Sequence, residues 1–202
     1  MSPLLALADH KFTLTNRCGN TITPVIADTK CGYSPPTLPL NPSQIGSGES
    51  QTVTIPSNWV GRIFAQNGSC GPKGEGCSVT EFNLDSGDAF TPQSYDISNI
   101  QGFTQSFQIG AAGCETVTCT SADCGCKNAY PVGDISSCRN DSPVRGCGAG
   151  DVAFSGKALS PTGSQIDSES LRSCLLSLIP ACNLWLCIIG NIIRFSRSLH
   201  AS

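Results

Sequence analysis

Charge is scarce in this chain of 202 residues: Asp, Glu, Lys and Arg together make up 13%, and the formal net charge is −3. No basic stripe runs along it, so no nucleic-acid partner is expected. Histidine is scarcer still, with only His10 and His200, one near each end. That excludes Ser-His-Asp and Cys-His catalysis from the body of the chain and removes the usual imidazole ligands of a zinc centre. Cys124-Gly125-Cys126 is not followed by a repeated C-x-x-C pair, so neither a structural metal nor a cofactor is expected. No long amphipathic helical pattern occurs before residue 165, and no internal repeat is present.

What the chain does have is cysteine. Of 13 in all, 10 fall between Cys18 and Cys147. A cytosolic protein of this length rarely keeps so many thiols, whereas an exported β-rich domain uses them as disulfides. Ten cysteines can close as many as five bridges, each worth about 2–4 kcal/mol through its effect on the unfolded chain. Gly (21) and Pro (13) are also plentiful, as expected of many turns between short strands.

The body reads as strands separated by loops. Residues 11–16 and 51–55 alternate with period two, and Pro56 ends the second run. Residues 60–66 form another run, with Arg62, Phe64 and Gln66 on one face. In residues 79–84, Val79, Glu81 and Asn83 share one face while Phe82 and Leu84 share the other. Residues 95–98 and 103–109 continue the series. The run 21–26 holds Pro24, which suits an edge strand or a bulge. About seven short strands at such spacing predict an antiparallel sandwich or barrel. Gly68 to Cys77 reads as a glycine-rich loop that Cys70 and Cys77 can close. Residues 110–150 hold six cysteines with almost no alternation, and read as a disulfide-held loop.

Both ends differ from the body. Ala6-Leu7-Ala8 fits the small-x-small cleavage rule, so residues 1–8 are expected to be the remnant of a signal peptide. From about Gly156 the composition shifts toward Leu, Ile, Ser and Arg, and residues 175–193 carry no charge. Three readings of this tail stay open: a spurious or alternative sequence, a membrane helix over 175–193, or an amphipathic or buried helix. Any membrane association is expected only through residues 175–193.

Several segments, in order, resemble the thaumatin-like proteins: NRCGNT at 16–21, SGES at 47–50 followed by VTIP at 53–56, WVGRIFA at 59–65, TEFNL at 80–84, and YDISNIQGF at 95–103. The likeness covers about residues 12–154, closest to the small, fungal-type branch. It implies an all-β, disulfide-rich antiparallel sandwich over residues 9–155 with a shortened cysteine-rich loop region, and an atypical tail over 156–202. In that family the last cysteine, in a closing V-x-F-C-P strand, bridges the first. Here DVAF at 151–154 turns instead into the tail, which leaves Cys18 without its implied partner. Cys31 looks like an extra, and Cys70–Cys77 is the bridge most directly assigned.

The resemblance also implies an acidic cleft built from an arginine, a glutamate and three aspartates. Matched motif by motif, Arg62, Glu81 and Asp96 keep three of these positions. The second aspartate falls on Gln101, and the third has no clear equivalent. The residues alone leave two readings open: a cross-strand Arg62–Glu81 ion pair on a solvated face, or a pair of carboxylates able to act on a sugar. In the second, Glu81 is the expected acid and Asp96 the second carboxylate, with Arg62 and Gln101 contacting substrate. Loss of the aspartate at Gln101 argues for weak catalysis. Asp85, Asp88 and Asp134 add acidity or serve as turn residues, and Phe64, Phe90 and Tyr95 stack on sugar or belong to the core. Asn67-Gly-Ser69 and Asn140-Asp-Ser142 are N-glycosylation acceptors in an exported chain. The resulting expectation is a secreted monomer, extracellular or in the cell wall, that binds β-1,3-glucan or another wall polysaccharide in a defence role. An endo-β-1,3-glucanase and a nonfunctional product of an aberrant transcript are the alternatives.

Overall fold

A computed structural model describes residues 9–29, 42–133 and 135–160. The signal-peptide remnant, Cys31, Asp134 and the tail from residue 161, including 175–193, lie outside the described residues. The described residues form ten strands: β1 (His10–Arg17), β2 (Thr23–Asp28), β3 (Ser50–Ile55), β4 (Val60–Gln66), β5 (Val79–Asn83), β6 (Gln93–Ser98), β7 (Ser106–Ala111), β8 (Val117–Cys119), β9 (Arg145–Cys147) and β10 (Phe154–Leu159). Among the described residues there is no α-helix, only a 3₁₀ turn at Ser136–Cys138. The strands form two sheets of five, ordered β3-β1-β10-β7-β8 and β2-β4-β5-β6-β9. Pairing is antiparallel except between β1 and β10, which run parallel from Phe12 against Phe154 to Arg17 against Leu159.

Period-two alternation explains which side chains meet between the sheets. Phe12 and Phe154 stack with centroids 4.6 Å apart, Phe12 meets Phe82 edge-on at 5.0 Å, and Tyr95 meets Phe154 at 5.9 Å. This aromatic layer joins the two sheets through ring contacts of the preferred edge-to-face and offset kinds. Trp59 extends it, and Gly61 leaves the space its indole occupies, since a Cβ there would strike the ring. A smaller cluster of Ala27, Phe64, Cys77 and Val79 lies apart, with Val25 and Cys70 packed against it.

The sandwich, the edge position of proline-bearing β2 and the Cys70–Cys77 bridge all appear in the structure. The cysteine-rich region is held by Cys114–Cys147, Cys119–Cys124 and Cys126–Cys138, and it contributes β8 and β9, one short edge strand for each sheet. Strand β10 crosses the boundary drawn at 155/156 and fills the centre of the first sheet, so Gly156–Leu159 belong to the sandwich. Cys18, just beyond β1, is a buried free thiol; burial pushes it up from its ordinary value, against a hydrogen bond from Gln105.

At one end of the sandwich a buried polar network ties three segments together. Nε2 of His10 lies 2.9 Å from Asp85, and Nδ1 lies 3.2 Å from the Val152 carbonyl. Gln93 Nε2 and the Asn58 amide also donate to Asp85, at 2.6 and 3.1 Å. Burial would raise Asp85, but the donors from His10, Gln93 and Asn58 hold the carboxyl below its ordinary value.

Phe154 touches both sheets from a strand that composition did not announce. Phe154→Ala should cost about 3–5 kcal/mol, the range for a buried Phe. Denaturant unfolding of the oxidised protein measures it; a loss below about 1 kcal/mol would mean that β10 contributes little packing.

Candidate functional site

The outer face of the second sheet carries the chemistry. Strand pairing places Arg62 opposite Glu81 and Glu81 opposite Asp96, making one row across β4, β5 and β6. The reason lies in β5 itself. Phe82 is buried in the aromatic layer, so its neighbours Glu81 and Asn83 must point the other way. On the same face, the row above pairs Val60, Asn83 and Ser94, and the row below brings Val79 against Ser98.

The row is unlike a solvated surface pair. Arg62 is only 4% exposed. Its Nη2 lies 3.8 Å from Glu81 Oε1, an ion pair too long for a direct hydrogen bond. Asp96 lies on the other side of Glu81, and its Oδ1 is buried with no hydrogen-bond partner. Burial, reinforced by the Glu81 charge, pushes Asp96 up to about 7. A carboxyl that keeps its proton near neutrality suits a general acid better than the second, ionised carboxylate expected at Asp96.

Two depressions flank Glu81. One, of about 120 Å³, is lined by Arg62, Glu81, Val79, Ser98, Ile100 and Gln101, with Cys77 at its side. Gln101 thus shares a wall with Arg62 and Glu81. The other, of about 190 Å³, is lined chiefly by Thr29, Glu81, Asn83, Ser94 and Asp96. The disulfide loop bounds the first: a Cβ on Gly74 would lie 3.2 Å from the Phe64 ring and 3.4 Å from Arg62, and Gly74 has φ +94°. This backbone comes close and left-handed over the arginine, which is where glycine is required.

The remaining predicted residues divide. Phe64 and Tyr95 are buried, the latter donating its hydroxyl to the Glu115 carbonyl, so both are packing residues and not stacking platforms. Phe90 is 89% exposed, in the loop between β5 and β6. Asp85 is consumed by the buried network, and Asp88 caps its own turn through the Phe90 and Thr91 amides. Asn67 and Asn140 are both exposed; the Asn67 side chain receives hydrogen bonds from Ser69 and donates to the Thr104 carbonyl. The sequence reading missed Thr29, Ser94 and Ser98. Asn83 was placed on the face of Glu81, and only the cross-strand register, which single strands do not carry, reveals that Ser94 lies beside it.

No family model matches the chain. Among curated proteins, "Thaumatin-like protein 1" of Pyrus pyrifolia is 26% identical over 193 aligned residues, covering 80% of this chain and 76% of that protein. "Pathogenesis-related protein 1A/1B" of Hordeum vulgare is 26% identical over 140 residues, covering 59% of this chain and 74% of that protein. Among solved structures, a thaumatin-like xylanase inhibitor aligns with a TM-score of 0.49 at 14% identity, covering 73% of this chain and 97% of that one.

The raised Asp96 has a thermodynamic consequence. Between the unfolded value near 3.8 and the folded value of about 7, the folded chain binds more protons than the unfolded one. Stability from this group is therefore complete below the lower value and is lost as pH rises through the upper one. Asp96→Asn removes the dependence, so the variant's melting temperature should gain on that of the parent from about pH 4 to 7 and level off above. A difference that does not change with pH would show that Asp96 titrates as an ordinary carboxyl.

Proposed function

Because this chain is a thaumatin-like protein, we propose that it is an exported, defence-type polysaccharide-binding protein whose outer-face trough takes β-1,3-glucan. The carrying observation is the row Arg62–Glu81–Asp96 with a depression on either side of Glu81. Sugar hydroxyls both donate and accept hydrogen bonds, and the trough offers carboxyl, guanidinium, amide and hydroxyl groups to meet them. Ile100, 37% exposed, gives the first depression an apolar side for a sugar C–H face. Four disulfides among the described residues support an oxidising compartment. In that compartment Asn67 and Asn140, both exposed, are available as glycan acceptors.

One observation favours a second reading, endo-β-1,3-glucan hydrolysis: the Asp96 proton is held to about pH 7 beside a second carboxyl. In that reaction Asp96 protonates the glycosidic oxygen as its bond to the anomeric carbon breaks. Glu81 either attacks that carbon, to be released later by water, or takes a proton from an attacking water. Compared with the roles expected from the motifs, the two carboxyls exchange places.

Co-sedimentation with insoluble β-1,3-glucan, together with reducing-end release from a soluble one, separates the readings. The protein should sediment with the glucan, and Gln101→Ala should weaken retention several-fold. Binding without reducing ends leaves a binding protein. Reducing ends that disappear in both Glu81→Gln and Asp96→Asn would make it a glucanase. A folded preparation that neither binds nor cleaves would overturn both.

A further inference from the structure

We propose that the trough holds a second sugar subsite, formed by Asn83, Ser94 and Thr29, so that a neutral polysaccharide lies along the strands and passes over Glu81. The proposal rests on the reading of the trough as a glucan site. It adds the direction in which the ligand runs and the residues that take its far end.

The argument starts from the sheet. Side chains on one face recur every second residue, about 6.6–6.8 Å apart along a strand. The three outer-face rows of β5 and β6 are therefore evenly spaced rungs: Val79 with Ser98, Glu81 with Asp96, and Asn83 with Ser94. One depression lies toward the first rung and the other toward the third, and Glu81 of the middle rung lines both. The long axis of the trough thus runs with the strands, not across them.

The chemistry of the second depression specifies its occupant. The Asn83 and Ser94 side chains make no hydrogen bond within the protein, which leaves an amide donor and acceptor and a hydroxyl free to bind. Asp96, whose Oδ1 is buried without a partner, completes the wall beside them. No Lys or Arg is among the lining residues, while two carboxyls are, so an anionic sugar is disfavoured and a neutral one fits. The only aromatic residue among those lining this depression is Phe82, whose ring faces the core, so recognition here is by hydrogen bonds.

Calorimetric titration with the β-1,3-glucan disaccharide and hexasaccharide tests the subsite. The wild-type chain should bind the hexasaccharide more tightly. Asn83→Ala with Ser94→Ala should lower hexasaccharide affinity about tenfold, the loss expected for two hydrogen bonds, and leave the disaccharide unchanged. Gln101→Ala, at the other end, should weaken both. Should the double variant melt early, Asn83→Ala alone provides the same comparison, because that side chain is exposed. Hexasaccharide binding equal to wild type in these variants overturns the second subsite and leaves the trough reading standing. Failure of the folded wild type to bind either sugar overturns the trough reading as well.

Discussion

Phe82 anchors the site from the opposite side of the sheet. Its ring meets Phe12, Trp59 and Phe154, so burying it fixes which face of β5 points inward. A strand has only two faces, and a slip of one residue in pairing would exchange them. With Phe82 held in the core, Glu81 must face outward, and the registers of β4 and β6 bring Arg62 and Asp96 to its two sides. The polar row is therefore positioned by hydrophobic packing, and it needs no hydrogen bond of its own to stay aligned.

That alignment is costly for Asp96. A carboxyl placed beside another carboxyl and shielded from water is destabilised in its charged form by both burial and repulsion. The row is also asymmetric: Arg62 lies next to Glu81, and Asp96 sits beyond it on the next strand. Local conflict of this kind is usual where a fold serves a function, with the cost offset elsewhere. Here the aromatic layer and the disulfides that staple the loops are the evident sources of stability.

Much of this was legible in the sequence. Alternation marked β1 and β3–β5, and Pro24 marked β2 as an edge strand or a bulge, of which the structure shows the edge. Arg62 and Glu81 fell on the polar face because Phe82 and Leu84 took the other. Strand β10 was not legible: FSGKAL buries only Phe154 and Ala158, and its place comes from pairing with β1 and β7 on either side. The pairing within the cysteine-rich region was also hidden, since six cysteines allow many connectivities and spacing alone does not choose among them. Asp96 could be matched by motif, but its burial depends on what packs around it, so the proton it holds was invisible. The second depression depends on Asn83 meeting Ser94 across two strands, a relation of register and not of either segment alone.

Charge along the trough differs from what the motif alone implies. A cleft with a glutamate and several aspartates would be strongly acidic, and would repel anionic ligands over its whole length. Here Gln101 replaces one carboxylate with a neutral amide, Arg62 pairs with Glu81, and Asp96 is half protonated near pH 7. The central row therefore carries little net charge at neutral pH, and its polar groups present donors as well as acceptors. That composition suits hydroxyl-rich neutral chains better than a cation, because a sugar must be met on both sides of its hydrogen-bonding capacity. The loop closed by Cys70 and Cys77 then gives the trough a direction: Gly74 packs down beside Arg62 at one end, while at the other end Asn83 stays exposed. A chain entering past Asn83 would meet hydrogen-bonding groups first, the row of Arg62, Glu81 and Asp96 next, and the depression walled by Ser98, Ile100 and Gln101 last, so the order of contacts follows from the register.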